Sequence, residues 1–124
     1  MPRHAFTCTV AVRHLSDQSD PAAQQYAFAY TVTIRNTGDI TAQLVARHWV
    51  ITDGNNHVEE VRGLAVVGHQ PVLKPGESFD YTSWTRIKTP QGSMRGTFFC
   101  MTEDARPFEA TVPEFGLTLA SALH

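Results

Sequence analysis

Residues 26–36 read YAFAYTVTIRN, so that Tyr26, Phe28, Tyr30, Val32 and Ile34 alternate with Ala27, Ala29, Thr31, Thr33 and Arg35. A period of two, with aromatic and β-branched residues on one side, is the pattern of a strand with one buried face. The same alternation runs through residues 6–12, where it points Phe6, Cys8, Val10 and Val12 inward, and through residues 78–87. Residues 43–53 are apolar on both faces, as in a central strand, and do not reveal which face Trp49 uses. Residues 57–67, 94–103 and 108–112 complete the set, with an apolar tail over 115–123.

The punctuation between these segments is of the turn kind. Asn36-Thr-Gly-Asp39, Asp53-Gly-Asn-Asn56 and Thr89-Pro-Gln-Gly92 supply residues that tolerate positive φ or cap a turn. Pro71 and Pro75-Gly76 exclude a helix and a central strand from residues 70–77, leaving a loop with at most an edge strand. Residues 13–25 are polar, contain Asp20-Pro21, and read as an unusually long connection. About seven antiparallel strands in two sheets follow, an all-β sandwich like those of immunoglobulin and fibronectin type III domains, as a single domain over residues 1–124.

Composition narrows what such a domain does. A formal charge of -2 supplies no overall positive field for nucleic acid or an anionic membrane. No apolar run approaches the roughly 18 residues of a membrane span, and the first residues lack a signal-like apolar stretch, so the expected location is cytoplasmic. Cys8 and Cys100 both lie in strand-like segments; a disulfide between them by analogy with immunoglobulin domains is disfavoured in a reducing cytosol.

No catalytic, cofactor or metal motif is complete. Gly63 and Gly68 have the spacing of a phosphate-binding loop, but His69 and Gln70 stand where Lys and Ser or Thr would hold phosphate and Mg²⁺. As a dinucleotide fingerprint the segment has Ala65 in place of the middle glycine, and Pro71 and Pro75 forbid the helix that would meet the pyrophosphate. Two readings stay open for Arg62, Gly63, Gly68, His69 and Gln70: a glycine-punctuated strand end or bulge, or a loop whose amides and arginine take a small anion.

His57-Val-Glu59 matches half of a zinc deaminase signature without its Pro-Cys-x-x-Cys partner, and the histidines at 4, 14, 48, 57, 69 and 124 satisfy no zinc spacing. Ser93 is not in a nucleophile elbow. Adjacent members of Glu59-Glu60 and Glu103-Asp104 alternate faces along a strand and read as solvated charges. The chain is therefore expected to be no enzyme and to carry no cofactor or metal.

Trp84 and Arg86 form the second candidate site. Both fall on the polar side of the alternation in residues 78–87, so Trp84 marks a contact surface if that face is open, or is covered by a loop if it is not.

Tyr26-x-Phe28-x-Tyr30, Arg47-x-Trp49-x-Ile51-Thr-Asp53, Val66-Val-Gly-x-Gln-Pro71, Leu73-x-Pro-Gly76, Phe79-x-Tyr-Thr-Ser83, Thr89-Pro-x-Gly92-x-Met-x-Gly96 and Val112-Pro-x-Phe115-x-Leu117 together resemble the ApaG family over nearly the whole chain. The resemblance implies the same sandwich. It implies no established activity, a link to cobalt or magnesium homeostasis or dinucleoside polyphosphate metabolism, and, through similar domains in eukaryotic F-box and polymerase-interacting proteins, protein recognition. Many relatives have Gly-x-Gly-x-x-Gly where this chain has Ala65, and a small residue where it has Trp84. The leading expectation is a protein-binding module, with a small anion or divalent cation as the alternative ligand and a homodimer left open.

Overall fold

The computed structural model describes residues 3–119. Eight strands appear in chain order: β1 (Phe6–His14), β2 (Tyr26–Asn36), β3 (Ala42–Asp53), β4 (Val58–Leu64), β5 (Val72–Leu73), β6 (Ser78–Ile87), β7 (Gly92–Thr102) and β8 (Pro107–Leu117). They form two antiparallel sheets, one ordered β1-β2-β6 and the other β4-β3-β7-β8 with β5 joined to β3. The alternation of residues 26–36 and 78–87 appears as β2 and β6 without a shift of boundary.

Differences from the sequence expectations lie at the irregular ends. The long connection is shorter than read, because β1 continues to His14 and two 3-10 turns, Ser16–Gln18 and Pro21–Ala23, fill the remainder. The strand expected over residues 57–67 stops at Leu64, and residues 70–77 contain only the two-residue β5. The apolar tail enters β8 as far as Leu117; its last residues, 120–123, lie outside the described residues.

The core is the filling between the sheets. Phe28, Val32, Ile34, Leu44, Val66 and Leu117 are fully buried, and each such side chain contributes about 1.5–3 kcal/mol relative to exposure. Trp49 turns inward and is 2% exposed. Its ring meets Phe98 at 5.8 Å and Phe115 at 6.1 Å, both near perpendicular, and Tyr30 at 5.6 Å with the planes inclined at 65°, edge-to-face arrangements that the aromatic quadrupole favours. Gly96 lies opposite Trp49 in the register of β3 with β7, and a Cβ there would sit 2.5 Å from Trp49 Cε3.

Cys8 and Cys100 are free and buried. Burial pushes the Cys8 thiol to about 11 and, with the charge of Cys8 added, the Cys100 thiol to about 12. Neither is a ready thiolate at neutral pH.

Candidate functional site

The β3–β4 hairpin begins at the Asp53-Gly-Asn-Asn56 turn. Asp53 Oδ1 accepts the amides of Asn55 at 2.8 Å and His57 at 3.0 Å, and Asn56 adopts φ 64. This side-chain clasp sets the register in which Thr52 faces Val58 and Ala46 faces Leu64.

Which backbone groups of β4 face outward follows from that register. The amide of Asp53 donates to His57 O at one end of the hairpin, and that of Ala65 donates to Val45 O at the other. Bonded and non-bonded pairs alternate along an antiparallel ladder. Glu59, Val61 and Gly63 therefore direct their amides and carbonyls to β3, while those of Val58, Glu60, Arg62 and Leu64 point away. β4 is the end strand of its sheet, with β3 as its neighbour on one side.

The outward-directed residues also share one face of the sheet. Glu60 Oε1 lies 2.7 Å from His48 Nε2 and 3.3 Å from Arg62 Nη2, and these hydrogen bonds, His48 first, hold its carboxyl below the usual value. Val58 and Leu64 flank this charged pair and are 54% and 72% exposed. Beyond Leu64 the register sets Ala46 and then Phe99 on the same face, and Val72 and Met101 flank Gln43 in a parallel row. Phe99, Met101 and Val72 are exposed as well.

The chain leaves β4 through the turn that carries the sequence candidates. Val66 is buried, and its amide and carbonyl exchange hydrogen bonds with His69 at 2.8 and 2.9 Å. Val67 and Gly68 occupy the tip, both at positive φ (47 and 79), the conformation of a tight hairpin turn of the primed kind. Ala65 also adopts positive φ, 68.

Each candidate of that segment has a definite place. Gly63 lies under the Arg47 guanidinium, which donates to the carbonyls of Leu64 at 2.8 Å and Ala65 at 2.9 Å. Arg62 is bound to Glu60 on the open face. His69 lays its ring against Phe79 at 5.6 Å. Gln70 Nε2 donates to Val45 O, and Gln70 O accepts from Gln43 Nε2. The amides of Ala65, Val66 and His69 all donate to protein carbonyls, so they do not converge on a common point as an anion nest requires.

Trp84 and Arg86 are not brought to this segment. They project from the outer face of the three-stranded sheet, where Trp84 stands opposite Ala29 and is 57% exposed, with the Arg86 guanidinium 5.3 Å from its ring centre. The open alternative for Trp84 is thereby decided in favour of exposure. Arg86 also borders a cleft of about 300 Å³ with Asp53, His57, Glu59 and Lys88. Among the described residues no three His, Cys, Asp or Glu side chains gather as metal ligands, and no helix is long and apolar enough to cross a membrane.

Sequence reasoning missed two things here. Glu60 is tied to His48 and Arg62 rather than simply solvated, and Arg47 is the residue that Gly63 accommodates. The visible signal was the pattern Val58-x-Glu60-x-Arg62-x-Leu64, apolar at its ends and oppositely charged within.

Comparison with known proteins agrees with the arrangement. The model of the ApaG domain matches residues 16–102. A protein ApaG of Ralstonia nicotianae is 60% identical over 124 residues, covering all of both chains, and one of Bordetella pertussis is 54% identical over 96% of this chain and 91% of its own. The crystal structure of an ApaA protein from Bordetella pertussis superposes with a TM-score of 0.92 at 53% identity, over 94% of this chain and 95% of that one. A family model across most of the sandwich, relatives alike from end to end and a matching fold together mean that this chain belongs to the ApaG domain family.

Proposed function

We propose that the chain is a non-enzymatic protein-binding module that takes up an extended segment of a partner along the outer edge of β4. The observation that carries this reading is the edge itself. Val58, Glu60, Arg62 and Leu64 direct backbone donors and acceptors away from the sheet, on a strand with a neighbour on one side only. Strand addition to such an edge obtains affinity from main-chain hydrogen bonds and selectivity from alternate side chains.

Several features support it. Leu64 is exposed on the edge itself and would cover an apolar side chain of an added segment, with the exposed Phe99, Val72 and Met101 further in on the same face. A sandwich of immunoglobulin or fibronectin type III kind is a scaffold often used for recognition. The thiols are buried with raised pKa values, which suits structural cysteines of a cytoplasmic protein better than nucleophiles.

The test is Arg62→Pro. Its amide points outward, so proline removes one edge donor and leaves the β3–β4 ladder intact. Proteins retained from a native lysate by the unaltered chain should be lost by this variant while its circular dichroism spectrum is unchanged. Equal retention by both would sink the edge reading.

A further inference from the structure

We infer that the strand which docks on the β4 edge is β4 of a second copy of this chain, in the antiparallel register centred on Val61. This rests on the edge reading above and names its partner. A two-fold axis through a strand pairs residues whose numbers have a constant sum, because the same patch serves both subunits. Only Val58, Glu60, Arg62 and Leu64 have outward backbone groups, so only registers that pair these residues with one another form hydrogen bonds across the edge.

Charge then selects among those registers. Centring on Val61 places Glu60 opposite Arg62 of the second copy and Arg62 opposite its Glu60, with Val58 opposite Leu64 at both ends. Moving the axis to Glu60 sets two carboxylates face to face, and moving it to Arg62 sets two guanidiniums face to face. Like charges directly opposite on one face destabilise a strand pair, whereas opposite charges and apolar pairs stabilise it. Shifts beyond these leave too few of the outward groups in register.

The backbone is consistent with this pairing and sets its length. Glu60 and Arg62 exchange amide and carbonyl bonds with their opposites in both directions, and the amide of Leu64 donates to the carbonyl of Val58. Arg47 already donates to Leu64 O at 2.8 Å, which closes the ladder there. Val58 and Leu64, 54% and 72% exposed in the single chain, each cover the other across the axis. The two five-stranded sheets then form one continuous sheet, and no unpaired β4 edge remains open to aggregation.

The experiment is sedimentation of the full chain from about 10 μM to about 1 mM, the range for an interface of the small class. The unaltered chain should move from chain mass toward twice that mass. Glu60→Arg alone puts arginine opposite arginine, Arg62→Glu alone puts carboxylate opposite carboxylate, and each should stay at chain mass over the whole range. Mixed in equal amounts, the two variants restore both opposite-charge pairs, and the doubled mass should return. Both positions are on the open face, so folding is retained and is checked by melting each variant.

An unaltered chain that stays at chain mass to about 1 mM, or a Glu60→Arg chain that doubles as well as the unaltered one, overturns the inference. If the unaltered chain stays single while Arg62→Pro still removes a captured protein, the second-copy inference alone falls and the edge reading stands. If Arg62→Pro changes neither mass nor capture, both fall.

Discussion

The guanidinium of Arg47 lies across Gly63, so close that a Cβ on the glycine would sit 2.9 Å from Nη1, the same nitrogen that donates to the carbonyls of Leu64 and Ala65. The absence of a side chain at Gly63 is what admits the arginine. Gly63→Ala pushes a flexible side chain aside and breaks these bonds, so it should cost about 1.5–3 kcal/mol, the range for a lost hydrogen bond to a charged group. Arg47→Met should cost a similar amount. Because both remove the same contact, the double variant should lose clearly less than the sum in urea titration; strict additivity would show that the contact contributes nothing.

The amides of residues 63–69 that donate within the protein leave little for an anion to take. Gly63 directs its amide to β3, and the amides of Ala65, Val66 and His69 donate within the protein. Amide resonances of Gly63, Ala65, Val66 and His69 should therefore stay in place when pyrophosphate is titrated in to millimolar concentration. Saturable shifts confined to this turn would show that the loop rearranges around an anion.

Trp49 depends on the absence of a side chain at Gly96. Its ring is walled by Tyr30, Phe98 and Phe115, and the missing Cβ would lie 2.5 Å from Cε3. Gly96→Ala should lower stability by about 1–3 kcal/mol, as overpacking of a filled core does, with a change in Trp49 emission. A melting temperature equal to that of the unaltered chain would mean that the ring has room to move.

Trp84 should behave in the opposite way. At 57% exposure, with the Arg86 guanidinium over its ring, its replacement by Ala should shift stability by no more than about 1 kcal/mol, the scale of an exposed cation–π pair. The same change should remove most of the tryptophan emission that acrylamide quenches, leaving the blue-shifted signal of Trp49. Quenching that is undiminished in Trp84→Ala would place the accessible ring elsewhere.

Stability should fall on the alkaline side. In the unfolded chain both thiols ionise near pH 8.5, whereas in the folded chain burial holds Cys8 to about 11 and Cys100 to about 12. Between these values the unfolded state has released protons that the folded state keeps, so stability is full below about pH 8.5 and declines as pH rises through the window. Tyr30 and Tyr81, also raised by burial, add to the decline at higher pH. Cys8→Ala should flatten the slope of unfolding free energy against pH between about 8.5, the ordinary thiol value, and the raised value of about 11. An unchanged slope would remove Cys8 as a cause.

The periodic segments were legible in the sequence because burial of one strand face imposes a period of two on the residues themselves. β2 and β6 needed no tertiary information for their extent, and the turn residues of Asp53-Gly-Asn-Asn56 announced the β3–β4 hairpin. The motifs that carry the resemblance to the ApaG family, to which the chain belongs, lie in these same strands and turns.

What the tertiary structure decided is where non-periodic neighbours meet. Trp49 sits in a strand apolar on both sides, so its inward turn depends on the bulge between Leu44 and Ala46 and on the space above Gly96. Arg47 reaches Gly63 only because β3 pairs with β4 in one register, and the exposure of Trp84 is set by what packs around its place opposite Ala29. The edge character of β4 is a property of strand order, which local alternation does not contain. Local pattern is set by each residue's own exposure, whereas register, strand order and close approach are set by packing between segments far apart in the chain.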